Sequence, residues 1–181
     1  RAVIVVPHGN NPEKNEAMRA LGADIVEHGT EFQEALEFSR ELAAREGLHP
    51  VPSFHPWLVR GVATYGLELF EAVADLDVVF VPVGLGSGFC GLAAARKALG
   101  LKTKLIGVVS ELAPAYALSF RQGKFIEQSS TTRVAEGVAC KTPNREALEI
   151  LTEQAHDIVT VSDDEALASM GVVVEKHHHE V

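Results

Sequence analysis

Four glycines fall within the eight residues Gly84-Leu85-Gly86-Ser87-Gly88-Phe89-Cys90-Gly91. The apolar run Asp77-Val78-Val79-Phe80-Val81 precedes them, and the helix-like Leu92-Ala93-Ala94-Ala95-Arg96-Lys97-Ala98-Leu99 follows. Strand, glycines, helix is the order that builds a phosphate cradle. Residues without side chains let several backbone N–H groups point at one spot, and the positive end of the following helix dipole favours an anion there. Spacing alone leaves the occupant open between a dinucleotide, another phosphate ligand and no ligand at all. Gly86-x-Gly88-x-x-Gly91 fits the dinucleotide fingerprint, and Glu111, beyond the next strand, stands where a ribose-binding acid is expected. Against that fit, the fingerprint's first glycine closes its strand, whereas Pro82-Val83-Gly84-Leu85 intervene here. So many glycines exceed what a tight turn needs, which places a phosphate reading above a purely structural one.

The other residues able to do chemistry point nowhere as clearly. Three consecutive histidines, His177-His178-His179, leave a helix in three directions and cannot converge on one ion. His8, His28, His49, His55 and His156 are scattered singly, without a carboxylate or cysteine at ligand spacing. Cys90 inside the glycine loop reads as a small packing residue at a helix start. For Asp163, Asp164 and Glu165, capping of a helix N-terminus is sufficient reason. No metal site and no catalytic residue is expected within these 181 residues.

The elements that must position the loop follow from periodicity and breakers. Strands are expected at Val3–Val6, Asp24–Glu27, Val51–Phe54, Val78–Val81, Lys104–Val109 and Asp157–Val161. Helices are expected from Pro12, capped by Asn11, to Leu21, and from Glu31 to Arg45 with Gly47 as the stop. Further helices are expected at Leu58–Val73, at Pro114–Phe120 and over residues 144–155, with a last one opened by a Ser162-to-Glu165 capping box. Thr132–Ala139 has no clear type. Strands separated by helices with short links make βαβ units and a mostly parallel sheet, hence an α/β protein. The stretch from His49 to Pro56, with three prolines and two histidines, is the best linker and divides the chain into 1–52 and 53–181.

Composition narrows the partners. A chain of 181 residues with 46% hydrophobic content buries a real core, and its formal charge of −9 offers no basic stripe for nucleic acid or an anionic membrane. Two cysteines in unrelated contexts suggest neither disulfides nor a zinc set, so the expected compartment is the cytoplasm. No apolar segment reaches the roughly 20 residues of a membrane helix.

Five ordered stretches carry a resemblance. Val5-Val6-Pro7 through Pro12-x-Lys14, Arg60-Gly61-Val62-Ala63-Thr64-Tyr65, Val81-Pro82-Val83-Gly84-Leu85-Gly86-Ser87-Gly88, Thr132-Arg133-Val134-Ala135-Glu136-Gly137 and Ile158-Val159-Thr160-Val161-Ser162-Asp163 together resemble the threonine/serine dehydratases of the tryptophan synthase β-like fold, the fold type II pyridoxal-phosphate enzymes. The likeness implies that Gly84, Leu85, Gly86, Ser87 and Gly88 hold the 5′-phosphate of pyridoxal phosphate. It also implies that Gly137, in an Ala-Glu-Gly version of the family's Ala-Asp-Gly element, lies beside the cofactor ring. Residues 1–52 then correspond to part of the small, substrate-side lobe and 53–181 to part of the large cofactor lobe. The implied reaction of the intact enzyme is β-elimination of threonine or serine to a 2-oxo acid and ammonia, on a small amino-acid substrate, by a homodimer or higher homo-oligomer.

Several departures qualify that likeness. The family's Schiff-base lysine sits in a Ser-Phe-Lys context, and its substrate-carboxylate segment reads Ser-Gly-Asn-His. Neither occurs here; Ser119-Phe120-Arg121 imitates the first but offers a guanidinium, which cannot form the imine. Lysines 14, 97, 102, 104, 124, 141 and 176 lie in surface-like or helical contexts. The opening at Arg1 within an apolar strand, and the close before the family's Glu-Gly-Ala-Gly stretch, lead to the expectation that the chain is cut at both ends and inactive alone. Serine-racemase-like members place acidic cation ligands where this chain has Val109 and Ala115, so no structural cation is expected. The Arg60-to-Thr64 wording resembles a subgroup associated with hydroxyectoine breakdown, which leaves the substrate open.

Overall fold

The computed structural model describes residues 1–177. The chain divides into two compact units, Arg1–Pro52 and Ser53–Val181.

In the first unit, β-branched residues form β1 (Ala2–Val6), which pairs in parallel with β2 (Ala23–Glu27) from Ala2 opposite Ala23 to Val6 opposite Glu27. Helix α1 (Pro12–Ala20) joins them. The Asn11 side chain accepts the amides of Glu13 at 2.9 Å and Lys14 at 3.2 Å, and Pro12 gives up no bond at the first helical position. Helix α2 (Phe32–Glu46) opens on a Glu31/Glu34 capping box and ends on Gly47 at φ 65°, a left-handed conformation that glycine adopts freely.

The second unit begins with α3 (Pro56–Ala72), whose N-cap is His55; the imidazole Nδ1 accepts the Trp57 amide at 3.2 Å. Then come β3 (Val78–Pro82), α4 (Ser87–Ala98), β4 (Lys104–Ser110), α5 (Ala115–Gln122), a 3-10 turn at Glu136–Val138, α6 (Arg145–Gln154), β5 (Asp157–Val161) and α7 (Asp163–His177). Strand β4 is central, with β3 and β5 parallel on its two sides. Val83, Phe89, Leu92, Leu105, Leu151 and Ile158 are fully buried between sheet and helices. Each such side chain stabilises the fold by about 1.5–3 kcal/mol. Helices α3 and α4 approach to near backbone contact: a Cβ on Gly91 would stand 2.9 Å from the Ala63 nitrogen, and one on Gly66 3.0 Å from Leu92 Cδ1.

One expected strand is not formed. Residues 51–54 are irregular, because Pro50 and Pro52 flank Val51 and take two N–H donors out of any ladder. Helix α5 begins one residue later than expected, with Pro114 as its cap. Of the three terminal histidines, His177 ends α7, while His178 and His179 lie outside the described residues. Among the described residues, no group of His, Cys, Asp or Glu could hold a metal ion, and no helix is long and apolar enough to cross a membrane.

Candidate functional site

The glycine loop lies wholly in the second unit. Val83 continues the ladder of β3, its amide donating to the Val108 carbonyl at 2.9 Å and its side chain fully buried. The chain then turns through Gly84, Leu85 and Gly86 into α4. Gly86 is the N-cap, with φ 95°, and supplies no side chain to the helix end. Most helices cover their first amides with a Ser, Thr, Asp or Asn cap. Here the amides of Gly84, Leu85, Gly86, Ser87, Gly88 and Phe89 meet no acceptor among the described residues, and neither does the Ser87 hydroxyl. Half-buried N–H groups at the positive end of a helix dipole constitute a demand for an anion.

Each glycine has its own steric reason. A Cβ on Gly84 would stand 2.7 Å from the Gly137 carbonyl oxygen, so the 3-10 turn closes against the first glycine of the loop. A Cβ on Gly86 would meet Ala147 Cβ at 2.8 Å, besides requiring the left-handed backbone. Gly88 differs: its φ is not positive, and the nearest atom to a Cβ there is the Tyr65 hydroxyl at 4.0 Å. Space is open over Gly88, where a ligand's approach would be blocked by a side chain. The Tyr65 hydroxyl donates to the Gly88 carbonyl at 2.9 Å. Gly91 serves the packing of α4 on α3 instead, facing Ala63 and Val59. Glu111 is exposed beyond the end of β4, its amide bound to the Val161 carbonyl.

The loop is braced from behind by Tyr116, which no sequence motif marks, and by Asp163, which the sequence marks only as a helix cap. Buried Tyr116 on α5 donates its hydroxyl to the Leu85 carbonyl at 2.9 Å and accepts the Asn144 amide at 3.0 Å. The Gly137 segment is tied down by Asp163, which receives the hydroxyls of Thr132 at 2.8 Å and Ser110 at 3.1 Å. These bonds, with those from the Arg133 and Val134 amides, hold its carboxyl below the usual carboxylate range, the Thr132 bond most of all. Helix capping therefore does not account for Asp163; the Ser162/Glu165 pair makes the capping box, with amide-to-side-chain distances of 2.8 and 3.2 Å. The Thr132 hydroxyl also takes the Ala135 amide at 3.1 Å, a local turn that sets Thr132 against Asp163.

The remaining sequence candidates are structural. Cys90 is buried, and burial pushes its thiol up to about 12, which leaves it protonated and inert. Ser119 bonds the Ala115 carbonyl and Ile126 amide, while the Arg121 guanidinium donates to the Ile158 carbonyl at 3.2 Å. All seven lysines are exposed. Val109 and Ala115 are buried and bring no oxygen ligand.

Comparison with known proteins identifies the family. The chain is 33% identical to the catabolic L-threonine dehydratase of Escherichia coli K12 over 175 residues, covering 96% of this chain and 53% of the relative. Against the biosynthetic L-threonine dehydratase of the same organism it is 35% identical over 171 residues, covering 94% of this chain and 33% of that protein. In structure it superposes on the processed form of threonine deaminase isoform 2 from Solanum lycopersicum with a TM-score of 0.91 at 31% identity, covering 99% of this chain and 53% of the other. The chain thus spans from a third to about half the length of these relatives. The fold is the tryptophan synthase β-like fold of pyridoxal-phosphate enzymes, which sets aside the dinucleotide reading of Gly86, Gly88, Gly91 and Glu111. The model for pyridoxal-phosphate dependent enzymes matches residues 1–181, and this chain belongs to that family.

Proposed function

We propose that residues 53–181 carry the cofactor-phosphate half of a pyridoxal-phosphate ammonia-lyase acting on threonine or serine. The observation that carries this is the uncapped start of α4, six amides without acceptors among the described residues, closed by the Gly137 turn at Gly84. The cradle fits a phosphate dianion: it is built of N–H donors, is aligned with a helix dipole and lacks a carboxylate cap. Gly84, Leu85, Gly86, Ser87 and Gly88 would hold the phosphate, the Ser87 hydroxyl adding one side-chain donor. Gly137 would stand beside the ring, held there through Thr132 and Asp163.

Bound there, pyridoxal phosphate supplies an electron sink that labilises the α-proton of an amino acid and so permits loss of its β-hydroxyl. What this chain does is bind and orient. Hydrogen bonds to the phosphate fix the position of the ring, and each charge-assisted bond contributes about 1.5–3 kcal/mol. The buried wall of Val83, Phe89 and Cys90 keeps the loop from shifting. Residues 1–52 would form part of the substrate-side lobe. The complete protein would be a cytoplasmic homodimer or higher homo-oligomer that converts threonine to 2-oxobutyrate, or serine to pyruvate, with release of ammonia.

Equilibrium titration checks the binding half. The chain is expected to quench its Trp57 fluorescence or shift the cofactor's absorbance with pyridoxal phosphate and to give no response with NAD(H). Binding of NAD(H) alone would sink the reading.

A further inference from the structure

We propose that Tyr116 is a positioning residue for the cradle, its phenol fixing the Leu85–Gly86 peptide so that the Gly86 N–H faces the phosphate. The proposal rests on the cofactor reading above and names a residue behind the site that sets its donor geometry.

A trans peptide carries its C=O and N–H on opposite sides, and among the described residues no peptide is cis. The Leu85 carbonyl is drawn inward to the Tyr116 hydroxyl at 2.9 Å. The N–H of the same peptide, that of Gly86, consequently points away from Tyr116, toward the open side of the loop. Glycine makes such a restraint necessary. Gly86 at φ 95° has no Cβ to forbid other backbone states, so nothing intrinsic prevents this peptide from flipping and turning its N–H inward.

The phenol itself is held in place. It is 1% exposed, and its oxygen accepts the Asn144 amide at 3.0 Å, the residue that caps α6 through its side chain on the Ala147 amide. The single hydroxyl therefore links the loop, α5 and the entry of α6, with donor and acceptor roles each used once. The contact is tight: a Cβ on Gly86 would lie 3.3 Å from the Tyr116 hydroxyl and 2.8 Å from Ala147 Cβ. Burial raises the phenol well above its ordinary range, so it remains an O–H donor at neutral pH.

Tyr116→Phe removes the hydroxyl and keeps the ring. The test compares wild-type and variant chains for the Kd of pyridoxal phosphate, of inorganic phosphate and of phosphate-free pyridoxal, together with the ³¹P resonance of the bound cofactor. The expected result is a loss of about tenfold for both phosphate ligands, the effect of one misdirected hydrogen bond to a charged group. Pyridoxal should bind both chains alike, and the ³¹P resonance should move. Unchanged phosphate affinity and ³¹P shift in the variant would overturn the proposal, as would an equal loss for pyridoxal, which indicates general loosening. A wild-type chain that binds neither phosphate ligand would instead defeat the cofactor reading itself. Circular dichroism reports whether the variant folds. If it does not, Asn144→Pro, at a position whose φ of −71° suits proline, removes the N–H that orients the phenol together with the cap on Ala147; Asn144→Ala, which removes the cap alone, is its control, and the difference between the two is read by the same outcomes.

Discussion

Gly86 and Gly88 stand two positions apart and are glycine for different reasons, which separates folding from binding at single residues. Gly86→Ala forces φ 95° on a residue with a Cβ and drives that carbon to within 2.8 Å of Ala147 Cβ. The left-handed conformation alone costs about 1–3 kcal/mol, so the variant is expected to show a clearly lower denaturant midpoint. Gly88→Ala meets no such obstacle, and its position in the first turn of α4 favours alanine by up to about 1 kcal/mol. Its methyl group enters the open space over the loop. The expected outcome is a stability equal to or above wild type, with pyridoxal-phosphate affinity lower by about tenfold, read by denaturation and titration on the same preparation. A Gly88→Ala chain that binds as wild type would remove Gly88 from the cradle.

Among the elements, the segment 132–139 has little regular structure and depends on side-chain ties to reach the loop. Asp163 is the hub of those ties, and its lowered pKa has a pH consequence. A carboxyl whose folded value lies below its unfolded value, about 3.9, contributes stability above that pH and loses it as pH falls through the folded value. Asp163→Asn should therefore flatten the acid limb of the stability-against-pH curve below about pH 4, while leaving its slope between pH 5 and 7 as in wild type. Parallel wild-type and variant acid limbs would mean that Asp163 is not held by these bonds. The contact of α3 with α4 admits a separate test. Gly91→Ala pushes a methyl against the Ala63 backbone nitrogen at 2.9 Å, and only movement of the whole helix can relieve it. A loss of about 1–3 kcal/mol, measured by urea denaturation, is expected.

These elements also show what the sequence makes legible. Caps and stops at Asn11, Gly47 and Ser162 are local chemistry, and the backbone follows them. The glycine loop is likewise local: strand, turn and helix are contiguous, so its shape is readable, and the proposed affinity for phosphate follows from that shape. Tyr116 and Asp163 are not readable, because their partners lie 31 residues away at Leu85 and at Thr132; in sequence Tyr116 looks like an ordinary helical residue and Asp163 like a helix cap. The expected strand at 51–54 is absent because Pro50 and Pro52 withhold the donors a ladder needs, and that outweighs the β-branched Val51 between them.

At the scale of the molecule, binding and turnover are expected to part company in this chain. Covalent chemistry on a carbonyl cofactor needs an amine beside the cradle, held where it can reach the reacting carbon. All seven lysines are exposed, and the one segment that imitates the family's lysine context places Arg121 on the Ile158 carbonyl, with a guanidinium in place of an amine. The proposed phosphate donors, by contrast, are backbone amides set by the second unit's own strand and helix. The 181-residue chain is therefore expected to bind pyridoxal phosphate and inorganic phosphate competitively while releasing no 2-oxobutyrate from threonine and no pyruvate from serine. A coupled assay for the 2-oxo acids, run beside the phosphate titration, decides this. Turnover above background by the chain would show that one of its own lysines supplies the amine. Phosphate binding without turnover would show that none of its lysines supplies the amine, leaving the uncapped start of α4 as a site of binding alone.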